Sequence, residues 1–255
     1  DEHMYEHMVN AMEKYNCDMV MCDVEHENKS VPLSSGSTHI NISGGYYNRE
    51  QLENNVFPKM IYTGVFYKFG IYPVIWNKLY KREKLIKHQM AVDDDIRTGE
   101  DAACVYPYLL ECDSLYFLEN LSLYHYRRSR TQMTVSYDSS KSLYEFLSNS
   151  SIANSPYSNQ LEYYYSYLVK TAISNELKKA NSVPIKTKLN HIREICTFAD
   201  EKGLRQYMIS VSNANGAFYE TTKMLTGKTY DMNEKIALPL PKNAVAGDLT
   251  ISVTV

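Results

Sequence analysis

One change of hydrophobic rhythm near the start restricts the fold more than any other feature of the chain. Met4, Met8, Val9 and Met12 recur at helical spacing over residues 3 to 15, and Asn16 is a suitable stop. The next segment, Asp18-Met19-Val20-Met21-Cys22-Asp23-Val24, is short and almost continuously apolar, which predicts a buried strand. A helix that gives way at once to a strand, with further alternation downstream, predicts an α/β fold.

The second constraint is the turn Thr98-Gly99-Glu100-Asp101-Ala102-Ala103. Gly99 allows a sharp turn, and the apolar run from Ala102 to Leu110 predicts a helix in which Pro107 sets a kink or an early end. Asp101 suits two roles. It can cap the helix, accepting from the free N–H groups of the first turn. It can also serve as a general base, kept ionised by the helix dipole. Upstream, Val92-Asp93-Asp94-Asp95-Ile96-Arg97 lacks the spacing of a calcium loop and reads as solvated acid.

Between these landmarks, Asn48 or Arg49 to Asn55 predicts a short helix ended by Pro58, and Ser37 to Ile42 an exposed strand. Met60 to Tyr72 is apolar and aromatic without a period. Val74 to Tyr80 is strand-like and holds Trp76; Arg82 to His88 reads as a helix. Ser114 to Leu118 and Leu121 to Tyr126 read as two strands. In the second, alternation sets His125 on the face opposite Tyr124 and Tyr126.

The net charge of −3 gives no basis for nucleic-acid binding. The 23 tyrosines, against 7 Phe and 1 Trp, supply rings of the kind that line sugar clefts, though coding bias explains the count equally well. Cys17, Cys22, Cys104, Cys112 and Cys196 are odd in number and form no C-x-x-C, which argues against zinc or a disulfide framework and for buried, reduced thiols. No run of 18 apolar residues occurs, so no membrane span is expected, and no signal peptide is recognised.

Three stretches in order, Trp76-Asn77-Lys78-Leu79-Tyr80-Lys81-Arg82-Glu83, then Gly99-Glu100-Asp101-Ala102-Ala103, then Leu123-Tyr124-His125-Tyr126-Arg127-Arg128-Ser129, resemble the second half of family 2 glycosyltransferases of the GT-A fold, which build bacterial surface polysaccharides. Met4-Tyr5-Glu6 resembles the segment that follows the family's metal-binding Asp-x-Asp, and Thr131-Gln132-Met133-Thr134 resembles a Ser-Met-Thr loop that closes over the donor. The resemblance covers residues 1 to 136. It implies the C-terminal half of a GT-A-like mixed sheet with flanking helices, with the nucleotide-binding half and the Asp-x-Asp lying upstream of Asp1, so that the chain is expected to be an incomplete fragment. It implies transfer of a sugar from a nucleotide-sugar donor to a glycan acceptor hydroxyl, with a divalent metal (Mn or Mg). The expected location is cytoplasmic, with the inner face of the membrane as a further option. By the same resemblance Asp101 is the base and Glu100 its helper. His125, Arg127, Arg128 and Lys78 lie on the diphosphate side, with His125 a candidate metal ligand, and Trp76 and Asn77 on the acceptor rim.

Residues 137 to 255 form a second region, expected to be mainly helical. Leu161, Tyr164, Tyr165, Leu168, Val169, Ala172, Ile173 and Leu177 fit a long amphipathic helix from about 159 to 180. Pro184 starts another, with Leu189, Ile192, Arg193, Ile195, Cys196 and Ala199 on its apolar or semi-buried side, and Gly203 marks its end. Residues 204 to 226 are expected to give one or two shorter helices, and 236 to 255 a strand or hairpin. This region offers a surface for a partner or for peripheral membrane association. The alternative to the enzyme is a non-catalytic carbohydrate-binding or assembly module.

Overall fold

Helix and strand fall where the opening rhythm puts them. In a computed structural model that describes residues 1–26, 42–64, 68–126, 138–177, 183–202, 204–213, 216–226 and 250–254, α1 spans Met4–Tyr15 and closes on Asn16 in the left-handed region (φ 46°). β1 (Met19–Cys22) and β2 (Val24–His26) follow, separated by Asp23. With β3 (Gly45–Asn48), β4 (Lys78–Tyr80) and β5 (Ser114–Leu118), β1 forms a four-stranded mixed sheet in the order β3-β5-β1-β4. β1 runs parallel to β5 and antiparallel to β4, and β3 is antiparallel to β5. β2 pairs in parallel with β6 (Tyr124–Tyr126) as a separate ribbon.

All four residues of β1 are buried, because successive side chains enter different cores. Val20 and Cys22 meet Met4, Met8 and Ala11 of α1. Met19 and Met21 enter the larger core with Leu115 and Phe117 of β5. Helix α4 (Glu100–Leu110) gives that core Ala102, Ala103, Tyr106 and Leu109, α5 (Lys141–Ser148) gives Leu143 and Leu147, and α6 (Asn159–Leu177) gives Leu161, Tyr164, Tyr165 and Leu168. The structure is therefore a mixed α/β fold, a mixed sheet with helices on both faces.

Several boundaries differ from the sequence expectation. Pro58 does not end the helix after Asn48. That segment starts as α2 (Arg49–Gln51) on a capping box between Asn48 and Gln51, passes through a π turn at Leu52–Val56, and takes Pro58 into a 3-10 turn at Phe57–Lys59. The proline sits in the first turn, where its missing N–H has no helical partner to lose. The strand at Val74 to Tyr80 is confined to Lys78–Tyr80. α3 (Arg82–Ala91) follows it, and α4 runs on through Pro107. Apart from Ile42, the strand expected at Ser37 to Ile42 lies outside the described residues.

α7 (Ile185–Glu201) starts after Pro184 as expected, with Ile195 and Ala199 buried, but Leu189, Arg193 and Cys196 are exposed rather than part of the packed side. The other four thiols are free and buried. The helices expected over residues 204 to 226 are instead β7 (Leu204–Asn213) and β8 (Gly216–Thr226), an antiparallel pair extended by β9 (Thr250–Thr254) on the far side of β7. Two sequence signals favour the strands: Tyr207, Ile209 and Val211 alternate, and Asn215-Gly216 is a strong hairpin dipeptide. Among the described residues, no helix is long and apolar enough to cross a membrane.

The start of β1 is fastened by Asp18, whose side chain is 5% exposed. Its carboxylate receives Lys84 at 2.8 Å, Lys81 at 3.2 Å and the Asp113 amide at 2.7 Å, while its carbonyl accepts the Tyr108 hydroxyl at 2.7 Å. Burial opposes ionisation here, but the Lys84, Asp113 and Lys81 bonds outweigh it and hold the Asp18 carboxyl below its usual range. A depressed carboxyl stabilises the fold above its unfolded pKa, and that stability is lost as pH falls through the lower folded value. Asp18→Ala is expected to cost about 2 to 3 kcal/mol, less than breaking a sealed pair because both lysines reach water. Urea unfolding at neutral pH, repeated at acid pH where the wild-type advantage should fade, checks this.

Candidate functional site

The three motif segments, far apart in sequence, adjoin in space. The first is the start of α4. Gly99 precedes the helix with φ 84°, a left-handed conformation that side chains avoid, and a Cβ there would collide with Leu143 Cδ2. The Gly99 carbonyl takes the Ala102 and Ala103 amides at 2.9 and 3.2 Å. Asp101 is thus not the cap. It lies within the first turn, and no side chain caps this helix at Gly99. Its half-buried carboxylate faces away from its own helix and accepts the Ile75 N–H at 3.3 Å.

The dipole does not leave Asp101 an ordinary ionised carboxylate. Burial, then the neighbouring Glu100 charge, raises its pKa above the usual Asp value, and the Ile75 amide and Lys78 charge only partly offset this. The side chain holds a proton more readily than a surface aspartate.

Ile75 immediately precedes the second segment, in a turn that leads into β4. Asn77 and Lys78 were expected at an acceptor rim and a diphosphate; both are instead buried and committed to protein groups. Asn77 Nδ2 donates to the Cys22 carbonyl at 2.7 Å, and the Cys22 amide donates to the Asn77 carbonyl at 3.1 Å, so the turn is clamped to the end of β1. Lys78 Nζ donates to the carbonyls of Tyr72 (2.8 Å) and Val74 (2.6 Å) and to Asn77 Oδ1 (2.8 Å). An ammonium has three donors, and these three acceptors use them all, which leaves none for a phosphate. Burial pulls the Lys78 pKa down to about 7, against the opposing pull of Asp101 and Cys22.

Trp76, half-buried on the same turn, stacks on the third segment. Its ring lies 4.1 Å from Tyr124 and 5.3 Å from Tyr126, at interplanar angles of 28° and 20°. His125 alternates to the other face, as expected, and is exposed. Its Nδ1 lies 3.7 Å from Glu25 Oε2, its neighbour in the β2–β6 register. Among the described residues, no group of three His, Cys, Asp or Glu side chains gathers as a metal site, and His125 with Glu25 alone does not make one. Arg127, Arg128 and the Thr131 to Thr134 loop lie outside the described residues.

A hollow of about 650 Å³ opens on the other side of α4, lined by Ala103, Pro107 and Glu111 of that helix together with His88, Asp93 and Phe146. Asp101 is not among its lining residues: at about 100° per residue it points some 200° away from Ala103. The acidic run contributes Asp93 and Asp95 to this hollow and remains exposed.

Sequence reasoning missed the groups that hold the site together. The carbonyls of Tyr72 and Val74 and the Ile75 amide are backbone, and a sequence carries no sign of which backbone group will face a charge. Glu25 was missed because the β2–β6 register that sets it opposite His125 is a tertiary fact. Tyr80 was also passed over. It follows Lys78 by two on β4, its buried hydroxyl finds no hydrogen-bond partner, and its burial together with Cys104 and Asp101 raises its pKa far above the ordinary range. The i, i+2 spacing on a strand is the signal that would have found it.

The clamp has a measurable consequence. Asn77→Ala leaves the buried Cys22 carbonyl and one Lys78 donor without their partners, and is expected to cost about 2 kcal/mol in urea unfolding. A loss under 0.5 kcal/mol (roughly the effect of a surface substitution) would show that the clamp carries little.

Comparison with known families finds no family model that matches the chain. No curated protein matches it either.

Proposed function

We propose that the chain is part of a nucleotide-sugar-dependent glycosyltransferase of polysaccharide synthesis, and that Asp101 takes the proton of the acceptor hydroxyl. One observation carries this reading: the three segments that resemble family 2 glycosyltransferases adjoin, through the stack of Trp76 on Tyr124 and Tyr126 and the hydrogen bond from Ile75, next to Trp76, to Asp101.

An alcohol is a poor nucleophile near neutral pH. It attacks the anomeric carbon of the donor as its proton passes to a carboxylate. The new carbon–oxygen bond forms, the bond to the nucleoside diphosphate breaks, and the electron pair leaves with the diphosphate. Asp101 begins this step ionised and ends it protonated. Its partial burial and the Glu100 charge strengthen it as a base, and the Ile75 amide fixes its orientation. Trp76 presents an aromatic surface beside the base, suited to the apolar face of a sugar. Lys78 and Asn77 have no direct contact with substrate in this reading; they hold the turn. Arg127 and Arg128 remain the candidates for the leaving diphosphate.

A transfer assay of the full-length gene product against a panel of nucleotide-sugars tests the proposal. Asp101→Asn is expected to lower turnover by about 100-fold or more. Unchanged turnover would remove Asp101 from the role. The acid limb of the pH–rate profile should lie above the usual aspartate range, since the base must be ionised to act and its pKa is raised. Glu100→Gln removes a like charge, so the same limb should move to lower pH. A wild-type protein that binds glycans but transfers nothing from any donor would favour the carbohydrate-binding module.

A further inference from the structure

We propose that Lys78 is a positioning residue for Asp101: its buried ammonium ties the turn at residues 72–77 into the shape that aims the Ile75 amide at the Asp101 carboxylate. The inference rests on the reading of Asp101 as base, and deepens it.

The three acceptors of the ammonium are spread over six residues, at positions 72, 74 and 77. They converge on one atom, so the chain between them is folded around it. Ile75 lies inside that loop, with its carbonyl accepting the Lys78 amide at 3.2 Å and its N–H donating to Asp101 Oδ2 at 3.3 Å. Asn77 fixes the assembly to Cys22 of β1. A rigid element of the sheet is thus connected to the carboxylate by a continuous series of bonds: Cys22, Asn77, Lys78, the turn, the Ile75 amide, Asp101.

An apolar side chain would fill the same space without the desolvation of a charge. What it would lack is the convergence of three donors and a positive field beside Asp101. The charged or titratable groups that act on the ammonium are Asp101 from α4 and Cys22 from β1. The ammonium favours the ionised carboxylate, against the burial and the Glu100 charge that favour the protonated one. Lys78 therefore sets both the direction of the base and the limit to which its proton affinity rises.

The test needs neither donor nor acceptor, so its failure is separable from failure of the base assignment, which the transfer assay decides. In the 255-residue chain, Asp101 is followed by carboxyl-carbon NMR during a pH titration, and Trp76, the sole indole, by fluorescence. Lys78→Met is expected to move the Asp101 midpoint to higher pH and to shift Trp76 emission to the red as the turn loosens. A folded Lys78→Met protein with an unchanged Asp101 midpoint overturns the proposal, whatever Trp76 does. If that variant does not fold, Asp101→Asn is read in the other direction: the Lys78 titration, followed at its ε-carbon, must move to lower pH once the carboxylate is gone. An unmoved Lys78 titration overturns the proposal equally.

Discussion

The carboxylate of Asp18 is the point from which the rest of the structure is held. It binds Lys81 and Lys84, which flank the start of α3, and the Asp113 amide, which precedes β5. The backbone of the same residue takes the Tyr108 hydroxyl from α4 and the Lys81 amide at the end of β4. α3, β4, α4 and β5 are thereby tied to the residue that precedes β1. No apolar contact has that reach, because dispersion and burial fix distance without fixing direction. The hydrophobic core supplies the driving force, and the Asp18 network determines which way the pieces face.

At the opposite end of β1 the Asn77 clamp does a related job for the candidate site. The turn at residues 72–77 is irregular backbone pressed against a sheet, so its carbonyls need donors. Lys78 provides them from inside, and the turn in exchange offers Ile75 to Asp101 and Trp76 to the tyrosines of β6. Asn77 and Lys78, which the motif marks as substrate-facing, turn out to be buried and to hold the turn against Asp101. A buried amide or ammonium that shapes a turn is costly to replace, because its removal leaves buried carbonyls without donors.

Much of the fold was legible where one local signal decided it. The 3.6-residue spacing of Met4, Met8 and Met12 and the apolar run of β1 each had a single good solution. So did the turn at Gly99, which requires a positive φ. The C-terminal strands are marked only by the alternation of Tyr207, Ile209 and Val211 taken together with Asn215-Gly216; either signal alone is weak beside the helical pattern that precedes it. The candidate site was legible only in its residue types. Asp101 looked like a cap because acidic residues at helix starts usually are, but Gly99 already occupies the cap position and the carboxylate turned to a partner twenty-six positions upstream. The resemblance set Lys78 on the diphosphate side, and only the three-dimensional return of Tyr72 and Val74 reveals why it is inside.

The double burial of β1 has one more implication. A strand with one wet face resists slipping past its neighbours, since a one-residue shift would send its apolar set into water. Met19–Cys22 has no such safeguard: its odd and even side chains are similarly apolar, and either set would be content in either core. Polarity alone would leave two alignments of the sheet nearly degenerate. The choice falls to the polar anchors beyond the two ends, Asp18 before the strand and Asn77 opposite Cys22, which act like pins at the margins of an otherwise featureless ruler.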